Sequence, residues 1–251
     1  MSTTTAFATI LHDTEARLAG PIAAAAPALR SLFAGFAVSL TEATDPRVAT
    51  VLAETLDARV AWHPTGEAII GQARRSAVGL ALECGTERVL YSDLDHILRW
   101  IDTHPAEMAD VLAAQPEAQL LIIGRTERAM AAVPKRLRDT EMPINRTYEL
   151  LTGRSADLLF AVRRMDRAAA SDIVAHSRVD SIANDVDWPL LAEQLGHRIG
   201  YAEAHGLYYR TIDEYGAAAD SYDLEPLQWI RRIEIAAEMA KAMRPYLRPS
   251  D

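Results

Sequence analysis

The 251-residue sequence predicts an α/β fold, a mostly parallel central sheet with helices on both faces, on three observations. Short apolar runs of strand length alternate with amphipathic helical stretches, the pattern of successive β-α-β units. Helix ends carry matching punctuation: Asp45-Pro46 reads as an N-cap followed by the first helical residue, and Gly85 and Gly196 read as terminators. The composition, 49% hydrophobic and 24% charged, is that of an ordinary globular protein with enough chain for a sizeable core.

In chain order, residues 5–30 read as a helical N-terminal extension ending in the Pro21 to Pro27 alanine segment. The apolar run Leu32 to Leu40 is short and well bounded, as a buried strand should be. Thr41 to Thr44 turn the chain into a helix in which Val48, Val51, Leu52 and Leu56 keep helical spacing. A strand over Ala58 to Trp62 leads to a helix with Ile69, Ile70, Ala73, Ala77, Leu80, Ala81 and Cys84 along one side. Arg88 to Ser92 is the third strand, Gln119 to Ile123 another, and Thr126 to Leu137 a helix. The pattern lapses between Asp139 and Gly153, a stretch read as a loop and a candidate lid. It resumes with an apolar run at Leu158 to Val162 and helices near Arg167 to His176 and Asp187 to Leu195. Strands at Arg198 to Ala204 and Leu207 to Thr211 follow. A terminal helix over Leu227 to Met243 carries Leu227, Ile230, Ile233, Ala237 and Met239 on one side. The expected organisation is a helical extension over 1–31, one domain over 32–211 and a helical tail over 212–251, packed on the domain or on a second subunit.

Composition excludes several classes. A net charge of −9 argues against a nucleic-acid partner, because phosphate backbones demand a basic surface. Cys84 is the single cysteine, so neither an internal disulfide nor a cysteine metal cluster is available, and its place on an apolar helix side reads as core. The apolar run around Phe33 to Leu40 is about half the ~20 residues a membrane helix requires. Met1 to Thr14 has no positive charge ahead of its apolar stretch, unlike a signal peptide, and a cytoplasmic setting is expected. No G-x-G-x-x-G follows any strand and no P-loop is present, which argues against a nicotinamide enzyme or a P-loop nucleotidase.

The most informative segment is Arg88-Val-Leu-Tyr-Ser-Asp-Leu-Asp-His96. If the strand persists to its end, Asp93 and Asp95 project together from its carboxyl end with Leu94 turned inward. Open α/β sheets bind ligands at that end. Two hard oxygen ligands so placed suit Mg²⁺ or Mn²⁺ held partly through substrate phosphates. The plain alternative is a solvated turn in which an aspartate caps the helix that follows.

The order strand, Asp-Pro helix, strand, arginine-bearing helix, strand and Asp-Leu-Asp resembles the nucleotide-binding half of the GT-A-fold glycosyltransferases, a Rossmann-like architecture. The likeness is greatest to the large inverting family that uses nucleotide-diphosphate sugars. It is carried by Ala37-Val-Ser-Leu-Thr41, by Gly71-Gln-Ala-Arg-Arg-Ser-Ala-Val-Gly-Leu-Ala81, by Val89 to Asp95, and by Asn184-Asp-Val-Asp-Trp188 with the helix and strand after it. It covers about residues 32–210. The resemblance implies a metal-dependent transferase moving a sugar from a UDP- or GDP-linked donor to a hydroxyl acceptor. Asp93 and Asp95 would hold Mn²⁺ or Mg²⁺, joined by a late histidine, for which His205 is the candidate. Arg74, Asp93, Thr41 and Glu42 would meet the nucleotide-sugar. Asp185 would be the general base, with Asp187 as the cap of its helix. Trp188, Trp229 and Tyr148 are candidates for stacking on a sugar, with packing as their plain alternative.

This chain departs from the family at Leu40-Thr41-Glu42, where a Pro and an Asn-Glu are usual, and at Asn184-Asp185, where Glu-Asp is usual. The alternative is therefore a non-catalytic relative that keeps the fold and binds a nucleotide or a protein partner. A second likeness, of Asp-Leu-Asp to the haloacid-dehalogenase phosphatases, is weaker, because His96-Ile97 stands where those have Gly-Thr and the motif follows a late strand.

Overall fold

The computed structural model describes residues 4–208 and 219–247. Seven strands form one sheet: β1 (Thr5–Leu11), β2 (Gly35–Thr41), β3 (Arg59–His63), β4 (Arg88–Tyr91), β5 (Leu120–Arg125), β6 (Val162–Asp166) and β7 (Ile199–Ala204). Their order is β3-β2-β1-β4-β6-β5-β7. Only β6 runs against its neighbours, pairing antiparallel with both β4 and β5. The other pairs are parallel, so six strands point their carboxyl ends to one edge.

Helices cover both faces. One layer comprises α1 (Ala19–Leu32), α2 (Pro46–Leu56), α4 (Leu94–Thr103) and α5 (Pro105–Ala113), packing Leu29, Leu52, Trp100 and Met108 with Phe7 and Phe36 of the sheet. The other holds α3 (Ile70–Leu82), α8 (Arg167–His176), α9 (Asn184–Gln194) and α10 (Pro226–Met243). It also contains α7 (Lys135–Thr152), which follows the short α6 (Glu127–Ala131). On this side Ala6, Ala8 and Ala37 meet Ala77 and Ala81 of α3 in one cluster, and small residues on both elements bring helix and sheet close.

Several expectations change, and the single helix expected over Thr126 to Leu137 is divided between α6 and α7. Residues 5–11 are a central strand rather than part of a helical extension; of the expected extension only α1 is helical. The alternation Ala-Phe-Ala has alanines that favour a helix locally, but burial on both sheet faces overrides propensity. The run expected as the first strand is thus the second, β2. Residues 139–152 are not a loop: α7 continues through Pro143, with Arg136, Leu137, Thr140, Glu141, Ile144 and Tyr148 buried at helical spacing. An internal proline reads locally as a break, and packing of that buried face holds the helix across it. A further change is at Leu158 to Val162: most of this run precedes the strand, and β6 begins only at Val162.

At the carboxyl-terminal side, Leu207 and Tyr208 are outside any strand, and residues 209–211 of that expected strand, like the boundary at 211/212, lie outside the described residues. Helix α10 forms as expected, but Leu227, Ile230 and Ile233 are exposed while Met239 and Met243 are buried. Cys84 is half-buried against the core beside Gly35. Among the described residues no helix is long and apolar enough to cross a membrane.

Candidate active site

The strand order reverses direction between β1 and β4, and at such a switch point the connections leaving the two strands diverge and open a crevice. A cavity of about 770 Å³ lies there. Its lining comes from the end of β1 with the loop after it (Ile10 to Asp13, Arg17, Leu18), Thr41, the segment His63 to Ile70, Arg74, the start of α4 (Asp93 to Asp95), and Ile182.

Arg74 is the most deeply buried charged residue of this lining, 3% exposed although it contributes to the wall. Two structural details put it there. Gly71, one turn earlier on α3, has no room for a side chain: a Cβ would stand 2.5 Å from the Val179 carbonyl oxygen and 2.6 Å from that of Ser181. The loop therefore docks directly on the first turn of α3, where the Gly71 N–H donates to the Asp180 carbonyl at 2.6 Å. Arg75 points to the same loop, donating to the Val179 carbonyl and pairing with Asp180. Of the two adjacent arginines, then, Arg74 is the one that faces the cavity.

The Arg74 guanidinium is held from the side by α9. Its Nη1 donates to Asn184 Oδ1 at 2.9 Å and to Asp185 Oδ1 at 2.5 Å. Nη2 lies 3.6 Å from Asp93 Oδ2, the guanidinium carbon is 5.4 Å from the Tyr91 ring centre, and Nε is buried without a partner. Burial disfavours the Arg74 charge, but Asp185 and Asp93 outweigh it and hold its pKa above the ordinary arginine value. Burial also pushes the Asp185 carboxyl up, against the pull of Arg74 and Arg163. Asp185, expected to be the base, is thus committed to Arg74 and is not part of the cavity lining.

The two aspartates reach the cavity by a different local geometry from the one expected. Strand β4 ends at Tyr91, Asp93 occupies the N-cap position of α4 and Asp95 lies in its first turn, with Leu94 buried between them. Asp93 makes no capping hydrogen bond, so its carboxylate is not consumed by the helix. It accepts instead from the Tyr91 hydroxyl at 3.0 Å. Burial raises the Tyr91 phenol well above its ordinary value, which keeps that proton in place as a donor. The Asp93 and Asp95 side chains are 31% and 49% exposed. Two accessible carboxylates facing one cavity are a donor set that fits a hard divalent cation completed by water and phosphate oxygens. His205 does not join them. Its Nδ1 is 3.2 Å from Thr126 Oγ1 and its ring lies beside His104. Among the described residues no three His, Cys, Asp or Glu side chains cluster as metal ligands.

The remaining expected site residues divide. Thr41 lines the cavity, its hydroxyl bonded to His12 Nδ1 at 2.7 Å and to Thr44. Glu42 is exposed, outside the lining, and its N–H donates to the His63 carbonyl. Asp187 does not cap α9, which begins three residues earlier. Its carboxylate accepts from Ser177 and from the Tyr246 hydroxyl, both at 2.6 Å. Trp188 and Tyr148 are buried in the core, Trp188 edge-on to Tyr91, so neither is open to a sugar. Trp229 packs beneath Lys135 and donates to the Asp223 carbonyl. The sequence reading missed the loop after β1. Asp13 there accepts from the N–H groups of Glu15, Arg17 and Leu18 and so shapes one wall of the cavity. The signal was present: Thr5 to Leu11 is a strand-length apolar run followed at once by His12-Asp13.

No protein-family model and no curated protein sequence matches this chain. Solved structures of the glucosyl-3-phosphoglycerate synthase of Mycobacterium tuberculosis are similar. The complex with phosphoglyceric acid has a TM-score of 0.53 at 16% identity, over 93% of this chain and 81% of that one. The complex with Mg²⁺ and uridine diphosphate has a TM-score of 0.52 at 16% identity, over 93% and 80%. The complex with Mn²⁺, UDP-glucose and phosphoglyceric acid gives the same values. At this identity the likeness is one of fold, and the chain has the GT-A fold of that glycosyltransferase.

Proposed function

We propose that this chain is a metal-dependent glycosyltransferase that binds a UDP-linked sugar in the cavity and passes the sugar to a hydroxyl acceptor. The observation that carries this reading is the buried Arg74 in the cavity wall, set beside the accessible pair Asp93 and Asp95 at the carboxyl edge of the sheet. The similar solved structures, in complex with uridine diphosphate or UDP-glucose and with Mg²⁺ or Mn²⁺, support the choice of UDP and of these ions. Asp93 and Asp95 are the residues that would hold the ion, whose chemistry when bound is to stabilise negative charge on the departing diphosphate. Arg74 supplies paired donors to phosphate oxygens, a geometry that suits a guanidinium better than an ammonium. Tyr91 orients Asp93. Asp185 we assign to holding Arg74 in register rather than to taking the acceptor proton, because its Oδ1 already accepts from Arg74 and it lies outside the lining.

Calorimetric titration with UDP and GDP, each with and without Mn²⁺, tests the reading. UDP should bind in the presence of Mn²⁺, with binding lost in Asp93→Ala while the circular dichroism of the variant is unchanged. Failure of both nucleotides to bind would favour the non-catalytic relative.

A further inference from the structure

We propose that Arg74 is an internal counter-cation for Asp93, competing with the metal ion for that carboxylate until the donor diphosphate draws the guanidinium away. This rests on the function proposed above and deepens it: one side chain makes metal binding and nucleotide binding interdependent.

The geometry that points to it is the sharing of one guanidinium between two carboxylates. Nη1 is committed to Asp185 and Asn184, whereas Nη2 stands 3.6 Å from Asp93 Oδ2, close enough for Coulombic attraction and too long for a hydrogen bond. Arg74 is therefore tethered on its α9 side and loosely held on its Asp93 side. Arg74 contributes to the cavity wall, where a phosphate oxygen could compete with Asp93 for the loosely held side of its guanidinium. A cation arriving at Asp93 meets the positive charge of Arg74, whose Nη2 lies 3.6 Å from the same carboxylate. Metal alone is bound against that repulsion. A diphosphate carries negative charge to both cations at once, so each ligand strengthens the other, and the coupling is reciprocal. Arg74 is a positioning and coupling residue on the metal side of this scheme.

The test reads free Mn²⁺ by electron paramagnetic resonance, with protein alone and then with UDP, so that no turnover is needed. The paired variant R74M with D185N removes the counter-cation without leaving a buried carboxylate unpaired. It should bind Mn²⁺ alone about tenfold more tightly than the parent and should lose most of the tightening that UDP produces. Asp185→Asn by itself leaves Arg74 to lean on Asp93 and should weaken Mn²⁺ binding several-fold. A folded double variant with unchanged or weaker Mn²⁺ binding, or with the UDP effect intact, overturns the proposal. If the parent still binds Mn²⁺ and UDP together, the site reading survives that result. A parent that binds neither overturns both. Should the double variant fail to fold, Asp185→Asn decides: unchanged or tighter Mn²⁺ binding rejects the counter-cation role.

Discussion

Arg74 and Arg125 are both 3% exposed, and both lie against buried carboxylates near the carboxyl edge of the sheet. Arg125, the last residue of β5, is enclosed. Its Nε and Nη2 donate to the two oxygens of Asp157 at 2.7 and 2.8 Å, and Nη2 donates also to Glu141 at 2.7 Å. Asn145 supports Asp157, Arg232 of α10 reaches the other Glu141 oxygen at 2.7 Å, and the Phe160 ring covers the guanidinium. No buried nitrogen of Arg125 lacks a partner, whereas Nε of Arg74 does and one of its carboxylates is part-exposed. Satisfied polar networks fasten elements to one another, and here β5, α7 and α10 are joined. A network left open toward a cavity has donors to offer a ligand. The two arginines match in burial and charge; what separates them is that Arg74 contributes to the cavity wall and Arg125 does not.

The largest effect should come from breaking the closed cluster. Arg125→Met leaves Asp157 and Glu141 buried without their main partner and should cost about 3–5 kcal/mol in denaturant unfolding. A loss below about 1 kcal/mol would remove the distinction drawn here, since surface ion pairs give that much. Next, Asp185→Asn should weaken UDP binding in the presence of Mn²⁺ by about 1.5–3 kcal/mol, the worth of a hydrogen bond to a charged group. Unchanged nucleotide binding with transfer abolished would instead return Asp185 to the role of base. Gly71→Ala should destabilise the fold by about 1–3 kcal/mol, because the new methyl meets backbone of the 179–181 loop. Its thermal melt and its UDP affinity should fall together, since that loop sets where α3 presents Arg74.

The smallest effect lies away from the site and calibrates the others. Asp45 caps α2 by accepting from the Arg47 N–H and pairs with the Arg47 guanidinium, which lower its pKa to about 2. A depressed acid stabilises the fold above its unfolded value of 3.8, and the contribution disappears as pH falls through the folded value. Asp45→Ala should melt below the parent at pH 7 and converge with it towards pH 2. A difference that persists at pH 2 would mean that the cap acts through something other than its charge.

Much of this arrangement was legible beforehand because it is written locally. Asp45-Pro46 starts α2, Gly85 with φ +72° ends the α3 region, and Asp-Leu-Asp follows β4 as read. The helix that carries Arg74 is legible from its apolar spacing, although only packing separates Arg74 from Arg75. Other features were not local. Thr5 to Leu11 combines alanines with a β-branched and aromatic alternation, and its strand identity depends on the neighbours β2 and β4 that sandwich it. Pro143 marks a break in any window of sequence, yet α7 runs through it because its buried face packs. Asp187 looked like a cap and instead receives Ser177 and Tyr246, the latter 59 residues away in sequence.

The α/β class, the alternation that builds it, the Asp-Leu-Asp after β4 and the helix that bears Arg74 are all readable from the chain alone. Those rest on periodicity, capping and side-chain chemistry, which act over a few residues. Long-range packing sets the rest: β1 lies at the centre of the sheet, His205 lies beside Thr126 and His104, and Asp185 pairs with Arg74. The Arg74–Asp185 contact spans 111 positions in the chain, and a carboxylate's role there follows from which charge burial brings against it. No local pattern records that partner.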